Sequence, residues 1–316
     1  MPRILPWVAL ALAIAFPLVA EQFDLGFYVS FASRVMIYAI AATSLNLILG
    51  YGGMVSFGHA AFFGAGAYTV AIAMTYGLDS AWLAWPLAML VAAAVALLIG
   101  ALSLRTRGVY FIMITLAFAQ MMFYVFIGLK AYGGEEGLNL PHRSVIGFGL
   151  NLKDDASFYY VVLALLVGTL VLLQRLVNAR FGRVLQAIRE NESRMETIGY
   201  ATYRYKLCAF VIAGTVCGLA GALIANQTRY VNPNLMHWVI SGDMMIMIIL
   251  GGLAYRYGGL LGAIVMLVLD EAISPYTTYS KFVIGFVLLA VVLFAPRGLA
   301  ALFDRKTATQ PAKAVP

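Results

Sequence analysis

Residues 178–206, NARFGRVLQAIRENESRMETIGYATYRYK, form the one long polar stretch that also carries a helical pattern, and apolar runs flank it on both sides. Val184, Ala187, Ile188, Met195 and Ile198 recur at spacings near 3.6, which predicts an amphipathic helix with a single apolar stripe. Arg183, Arg189, Glu190, Glu192 and Arg194 take the other faces, with Glu190 and Arg194 spaced as a favourable i,i+4 pair. Gly199 is the expected stop, because glycine enters the left-handed conformation without a side-chain clash. Such a helix, held between two hydrophobic spans, either lies on the bilayer surface or docks into a groove on a soluble partner.

Working outward, 63% of the residues are hydrophobic, 11% are charged and the mean hydropathy is +0.89. That excludes an ordinary soluble globular protein, whose apolar share is about 45–50%. Apolar runs occupy 4–20, 30–49, 57–76, 82–103, 109–129 and 158–177, then 207–227, 240–254, 258–273 and 282–295 after the polar stretch. The expected fold is an all-α integral membrane protein. It is a single polytopic domain over 1–316, a bundle of about ten transmembrane helices with lipid as its main solvent and 178–206 as a cytoplasmic loop. The first run is read as a span rather than a signal peptide, because Leu18-Val19-Ala20 is a poor cleavage site. The runs 240–254 and 258–273 are short for a hydrocarbon core of about 30 Å, so they are expected to be tilted, broken or partly re-entrant. Cys208 and Cys217 fall on opposite faces of one span, about 13 Å apart along its axis, too far for a disulfide.

The net charge of +7 reads as a topology signal rather than a sign of nucleic-acid binding. With the polar stretch in the cytoplasm, most of the 21 lysines and arginines fall on that side. They are Arg3, Arg105, Arg107, the cluster from Arg175 to Lys206, Arg256, and the tail residues Arg297, Arg305, Lys306 and Lys313. Arg34, Lys130, Arg143, Lys153, Arg229 and Lys281 fall opposite, so both termini are expected in the cytoplasm. The loop 130–157 is then the largest outward segment, either an ordinary connection or a surface for something arriving from outside.

Residues 50–66, GYGGMVSFGHAAFFGAG, are unusual at membrane depth and predict an interrupted or closely packed helix. Two readings stand side by side: a discontinuous helix lining a transport path, or close packing through Ala60 and Gly64. His59 alone reads first as a hydrogen-bonded structural residue. Gly214 with Gly218, and Gly258 with Gly262, are further small-residue ladders whose default role is helix contact. Ile48-Leu49-Gly50 and Ile249-Leu250-Gly251 each precede a glycine-rich break, a hint of internal duplication. Asn46, Ser56, His59, Thr115 and Gln120 are the candidate path residues, as polar groups on spans otherwise matched to lipid.

No P-loop pattern is present, so no nucleotide hydrolysis through a P-loop is expected, and no Cys/His cluster has metal-ligand spacing. Asp243, Asp270 and Glu271 lie near span ends, whereas ion-coupled carriers usually keep ionisable groups near the midplane. A polar or charged ring, the mark of a passive channel, is also missing. A transporter without an evident coupling ion takes its energy from elsewhere, and the cytoplasmic amphipathic segment is the natural inlet.

Several blocks, in order, resemble the M-type permease subunit of the branched-chain amino-acid ABC importers. They are LNLILGYGG at 45–53 running into SFGHAAFF at 56–63, RGVYF at 107–111 with TLAFAQ at 115–120, and FGR at 181–183 with AIRENE at 187–192. GGLLGA at 258–263 and LFAPRGL at 293–299 follow. The resemblance implies a heterodimer with a second permease subunit and two cytoplasmic ATPases, which would hold the ATP and Mg. It also implies an extracytoplasmic solute-binding protein and a location in the bacterial inner membrane. It makes Arg189, Glu190, Asn191, Glu192, Arg194 and the helix up to Gly199 the ATPase-coupling segment. Ser193–Thr197 is less alanine-rich than the family pattern, and Arg256-Tyr257 replaces a commoner small or proline-containing turn. Permeases for urea or short-chain amides are close alternatives, and an ion-coupled secondary carrier is a more distant one.

Overall fold

A computed structural model of the protein describes residues 5–22, 26–147, 152, 154–277, 279–295 and 298–300. Arg3, Lys153, Pro296 and the basic tail residues Arg297, Arg305, Lys306 and Lys313 lie outside the described residues. The helices are α1 (Leu5–Gln22), α2 (Gly26–Asn46), α3 (His59–Thr75), α4 (Ala81–Ser103), α5 (Val109–Gly128) and α6 (Asp155–Asn178). Then follow α7 (Arg180–Glu190), α8 (Glu192–Thr197), α9 (Thr202–Thr228), α10 (Trp238–Gly251), α11 (Gly258–Ile273) and α12 (Ser280–Phe294). Each of the ten apolar runs holds one helix, and α7 and α8 are the polar pair between them.

α9 is the buried axis, because its small residues admit neighbours on two sides. A Cβ placed at Gly66 of α3 would meet the Gly218 carbonyl, and one at Gly221 would meet the Phe63 carbonyl. On the other side, Cβ atoms at Gly214 and Gly218 would meet the side chains of Ala96 and Ala92. Those alanines belong to a buried row on α4, Ala84, Ala88, Ala92 and Ala96, which supplies the partner for the Gly214–Gly218 ladder. Gly258 and Gly262 serve the α10–α11 hairpin, where added Cβ atoms would meet the Gly252 and Met247 carbonyls. Gly64 faces the Met236 side chain in the short 3-10 helix Pro233–Met236, and the Ala60 amide meets Ser241 of α10, so this edge packs on the segment that leads into α10. α1 is peripheral and hangs on α6, whose Tyr159 and Tyr160 hydroxyls donate to the Ala13 and Ile14 carbonyls at 2.8 and 3.1 Å.

Two helices break where the glycines predict. α2 loosens into a π-helical turn, Leu47–Tyr51, and the chain then runs without regular structure through 52–58, with Gly53 at φ +68°. α10 stops at Gly251, followed by Gly252 at φ +116° and Ala254 at φ +62°. α10 and α11 have 14 and 16 residues, roughly 21–24 Å at 1.5 Å per residue, shorter than a bilayer core.

The loops sort to two ends. One end gathers both breaks, the α4–α5 loop and α7–α8. The other carries a short sheet of β1 (Leu138–Asn139) and β2 (Tyr230–Val231). There Arg143, expected as an exposed loop charge, is instead buried against the Phe158 ring. It donates to the Asn226 and Leu152 carbonyls at 3.2 and 3.0 Å and pairs with Asp155 at 2.5 Å. Within 130–157 the described part is therefore a stapled cap.

Candidate functional site

The polar stretch is two helices, not the one its periodicity predicts. Asn191 takes an extended conformation (φ −156°, ψ 98°) and its side-chain oxygen accepts from the Arg194 amide at 2.9 Å, capping α8. Asparagine is among the best residues for that position, and here the cap wins over continuing the helix. Glu190 and Arg194 consequently sit on different helices and do not form the expected ion pair. Gly199 does take the left-handed conformation, at φ +96°. The buried edge of α7 is Gly182, Leu185 and Ile188, whereas Val184, Ala187 and Met195 are half-buried and Ile198 is 62% exposed. The apolar stripe thus belongs to α7 and runs through Leu185, which the predicted stripe omits.

The polar side chains of this segment divide by direction. Arg189, though exposed, reaches back to the bundle: its Nη1 donates to the Gly50 carbonyl in the π-helical turn, and its stem covers Gly53, where an added Cβ would sit 2.7 Å from Cγ. Glu192 also turns inward, 2.5 Å from Lys206 Nζ and 3.7 Å from Arg107 Nε. Arg107 reaches Glu196 at 3.4 Å as well, and the Thr202 hydroxyl donates to Glu196 at 3.0 Å. Glu190 and Arg194 are exposed and form no ion pair among the described residues.

The irregular stretch is largely buried among its neighbours, where each freed backbone group needs a protein partner. Thr115 Oγ1 accepts from the Phe57 amide at 3.2 Å, and Ser56 Oγ accepts from the Gly58 amide at 3.1 Å. Ser241 closes the arrangement by accepting from the Ala60 amide at 2.8 Å and donating to the Phe57 carbonyl at 2.7 Å. Ser241 is missing from the sequence-based candidates, although a hydroxyl near the start of an apolar run was a visible signal. His59 differs from expectation. It is fully buried, neither ring nitrogen has a partner among the described residues, and the ring meets Phe62 and Phe210 edge-on at 5.4 and 6.4 Å.

Asn46 serves the two breaks. Its amide donates to the Tyr255 carbonyl at 3.0 Å and its oxygen accepts from the Ala254 amide at 3.1 Å. It also edges a cleft of about 230 Å³ between α2, α6, α7 and the 255–257 turn, with Gln186 and Arg256 on the rim. Gln120 is half-buried on α5 and shares no hydrogen bond with the other candidates among the described residues.

The sequence pattern of the family described as branched-chain amino acid transport system / permease component matches residues 27–292. The chain belongs to this family. The permease is 29% identical over 313 residues to the high-affinity branched-chain amino acid transport system permease protein LivM of Escherichia coli (strain K12), covering 92% of the chain and 73% of that relative. A probable LivM permease of Methanocaldococcus jannaschii is 22% identical over 320 residues, covering 88% of the chain and 92% of the relative. The LivH permease of Escherichia coli (strain K12) is 23% identical over 279 residues, with 83% and 90% covered. No solved structure matches the permease. Together with the apolar helices, family membership makes it a multi-pass membrane protein of LivM type.

Proposed function

We propose that this permease is one of two membrane-spanning subunits of an ATP-driven ABC importer for branched-chain amino acids. Its counterpart is a LivH-like permease, two cytoplasmic ATPases hold the ATP and Mg, and an extracytoplasmic protein delivers the solute. The observation that carries this reading is the match, along most of the chain, to relatives named as branched-chain amino acid permeases of both LivM and LivH type. The geometry supports it: the polar pair α7–α8 stands at the same end as both helix breaks, where a motor attached to it can act on a path. On this reading that end faces the cytoplasm, both termini lie there, and the chain has no enzymatic site.

The test is reconstitution in liposomes. The permease with its counterpart, ATPases and binding protein is expected to accumulate leucine only with ATP, and the permease alone is expected to accumulate none. Uphill uptake by the permease alone on an ion gradient would establish a secondary carrier. ATP-driven uptake of urea or an amide in place of leucine would move the substrate to the neighbouring class.

A further inference from the structure

We infer that Arg189 is a positioning residue that carries displacement of α7 into the interrupted stretch 47–58, while contact with the ATPase falls to Glu190 and Arg194, which form no ion pair among the described residues. This rests on the importer reading above. Arg189 is exposed like Glu190 and Arg194, and what sets it apart from these two is its hydrogen bond back to the Gly50 carbonyl.

Three features meet at this side chain. The Gly50 carbonyl belongs to a helix end, where carbonyls lack intrahelical partners, and the Arg189 guanidinium supplies a charged donor from 139 positions away. Gly53 has no side chain and a φ of +68°, and the Arg189 stem occupies the space its Cβ would need. Gly50 in turn packs against Asn46 and Ala254, the residues that join the first break to the second. One cation from α7 therefore touches the point where the α2 and α10–α11 breaks meet.

Movement here has somewhere to go and something to move. The cleft of about 230 Å³ lies beside the junction, bounded by Asn46 and by Gln186 of α7 itself. Beyond Gly53 the chain leads within a few residues to Phe57, Gly58 and Ala60, whose backbone groups are held by the single hydroxyls of Thr115, Ser56 and Ser241. A rigid 11-residue helix pulling on one end of an irregular segment displaces it more readily than it would bend a regular helix.

The experiment uses the complete importer in liposomes with wild-type, Arg189→Ala, Arg189→Lys and Gly53→Ala permease. Co-purification of the ATPases, ATP hydrolysis and leucine uptake are measured on each. Arg189→Ala is expected to keep its ATPases and its hydrolysis while leucine moved per ATP falls about tenfold, within the roughly 5–150-fold range of site-to-site couplings. Arg189→Lys, which keeps a donor, is expected to recover part of the ratio. Gly53→Ala, which displaces the stem from the other side, is expected to lower it with Arg189 intact. An unchanged transport ratio in Arg189→Ala overturns the inference. So does loss of the ATPases from Arg189→Ala while Gly53→Ala retains them, which would make Arg189 a docking residue. Failure of the wild-type complex to transport with ATP would count against the importer reading itself, a separate result.

Discussion

Asn46 of α2 donates its side-chain amide to the backbone carbonyl of Tyr255, 209 positions away, at 3.0 Å. The oxygen of the same amide accepts from Ala254, a non-glycine residue held at φ +62°. Both polar ends of one buried side chain are thus spent on a turn that is conformationally unfavourable for alanine. The two glycine breaks are consequently one joint, a relationship that neither stretch reveals when read alone.

Replacing Asn46 with leucine leaves one amide and one carbonyl unpaired in a buried site. The expected loss is about 2 kcal/mol or more, since each unsatisfied buried group costs roughly 1–3 kcal/mol. Asn46→Asp keeps the acceptor for Ala254 and removes the donor to Tyr255, so it should fall between wild type and leucine. Thermal unfolding of the detergent-solubilised permease measures both, and a leucine variant melting with wild type would show that the turn holds itself.

The glycines differ in what surrounds them. Gly262→Ala puts a methyl group onto the Met247 carbonyl and the Gly251 amide, backbone atoms that cannot swing aside. Overpacking of this kind costs about 1–3 kcal/mol, so reduced yield and a lower melting temperature are expected. At Gly64 the three nearest atoms all belong to the Met236 side chain rather than to backbone, so Gly64→Ala should cost less than Gly262→Ala. Gly168→Ala on α6, with nothing within 4 Å among the described residues, should be neutral or slightly stabilising. A reversed order across these three variants would refute the packing described for the α10–α11 hairpin.

The spans and both breaks were legible in the sequence because lipid imposes long apolar runs and glycine marks where they stop. Three features were not. The alanine row Ala84–Ala88–Ala92–Ala96 has the hydropathy of a lipid-facing stretch, and only the glycines of α9 make it an interface. Asn191 looks like any polar residue in a helical pattern, and its cap acts only once the chain turns there. Ser241 matters because of a carbonyl 184 positions away, a partner that no local reading supplies. Within 178–206, residue types pointed to polar contacts, but their partners were hidden: Arg189 and Glu190 are adjacent and both exposed, and only the first hydrogen-bonds back to the bundle.

That difference in partners separates two kinds of variant. Reversing both exposed charges, Glu190→Arg with Arg194→Glu, should weaken ATPase association about tenfold and alter its salt dependence, as rim charges do. Glu192→Gln instead loosens α8 from Lys206 and Arg107, a half-buried contact worth on the order of 1 kcal/mol. It should lower stability more than association. Pull-down of the ATPases across a salt series distinguishes them. Equal binding by the charge-reversed protein at every salt concentration would place the motor's contact elsewhere.

Ser241 and His59 share one neighbourhood and should respond oppositely. Ser241→Ala strips partners from the Ala60 amide and the Phe57 carbonyl, so the irregular stretch loses support and the permease should unfold at lower temperature, by about 1–3 kcal/mol for each group left bare. His59→Phe removes no hydrogen bond and keeps an aromatic ring against Phe62 and Phe210, so the melting temperature should stay near wild type. Any change in leucine KM for His59→Phe then reports on the path itself, because the fold has been held constant. A normal melting temperature with unaltered uptake kinetics would remove His59 from the candidate path and leave it a packing residue.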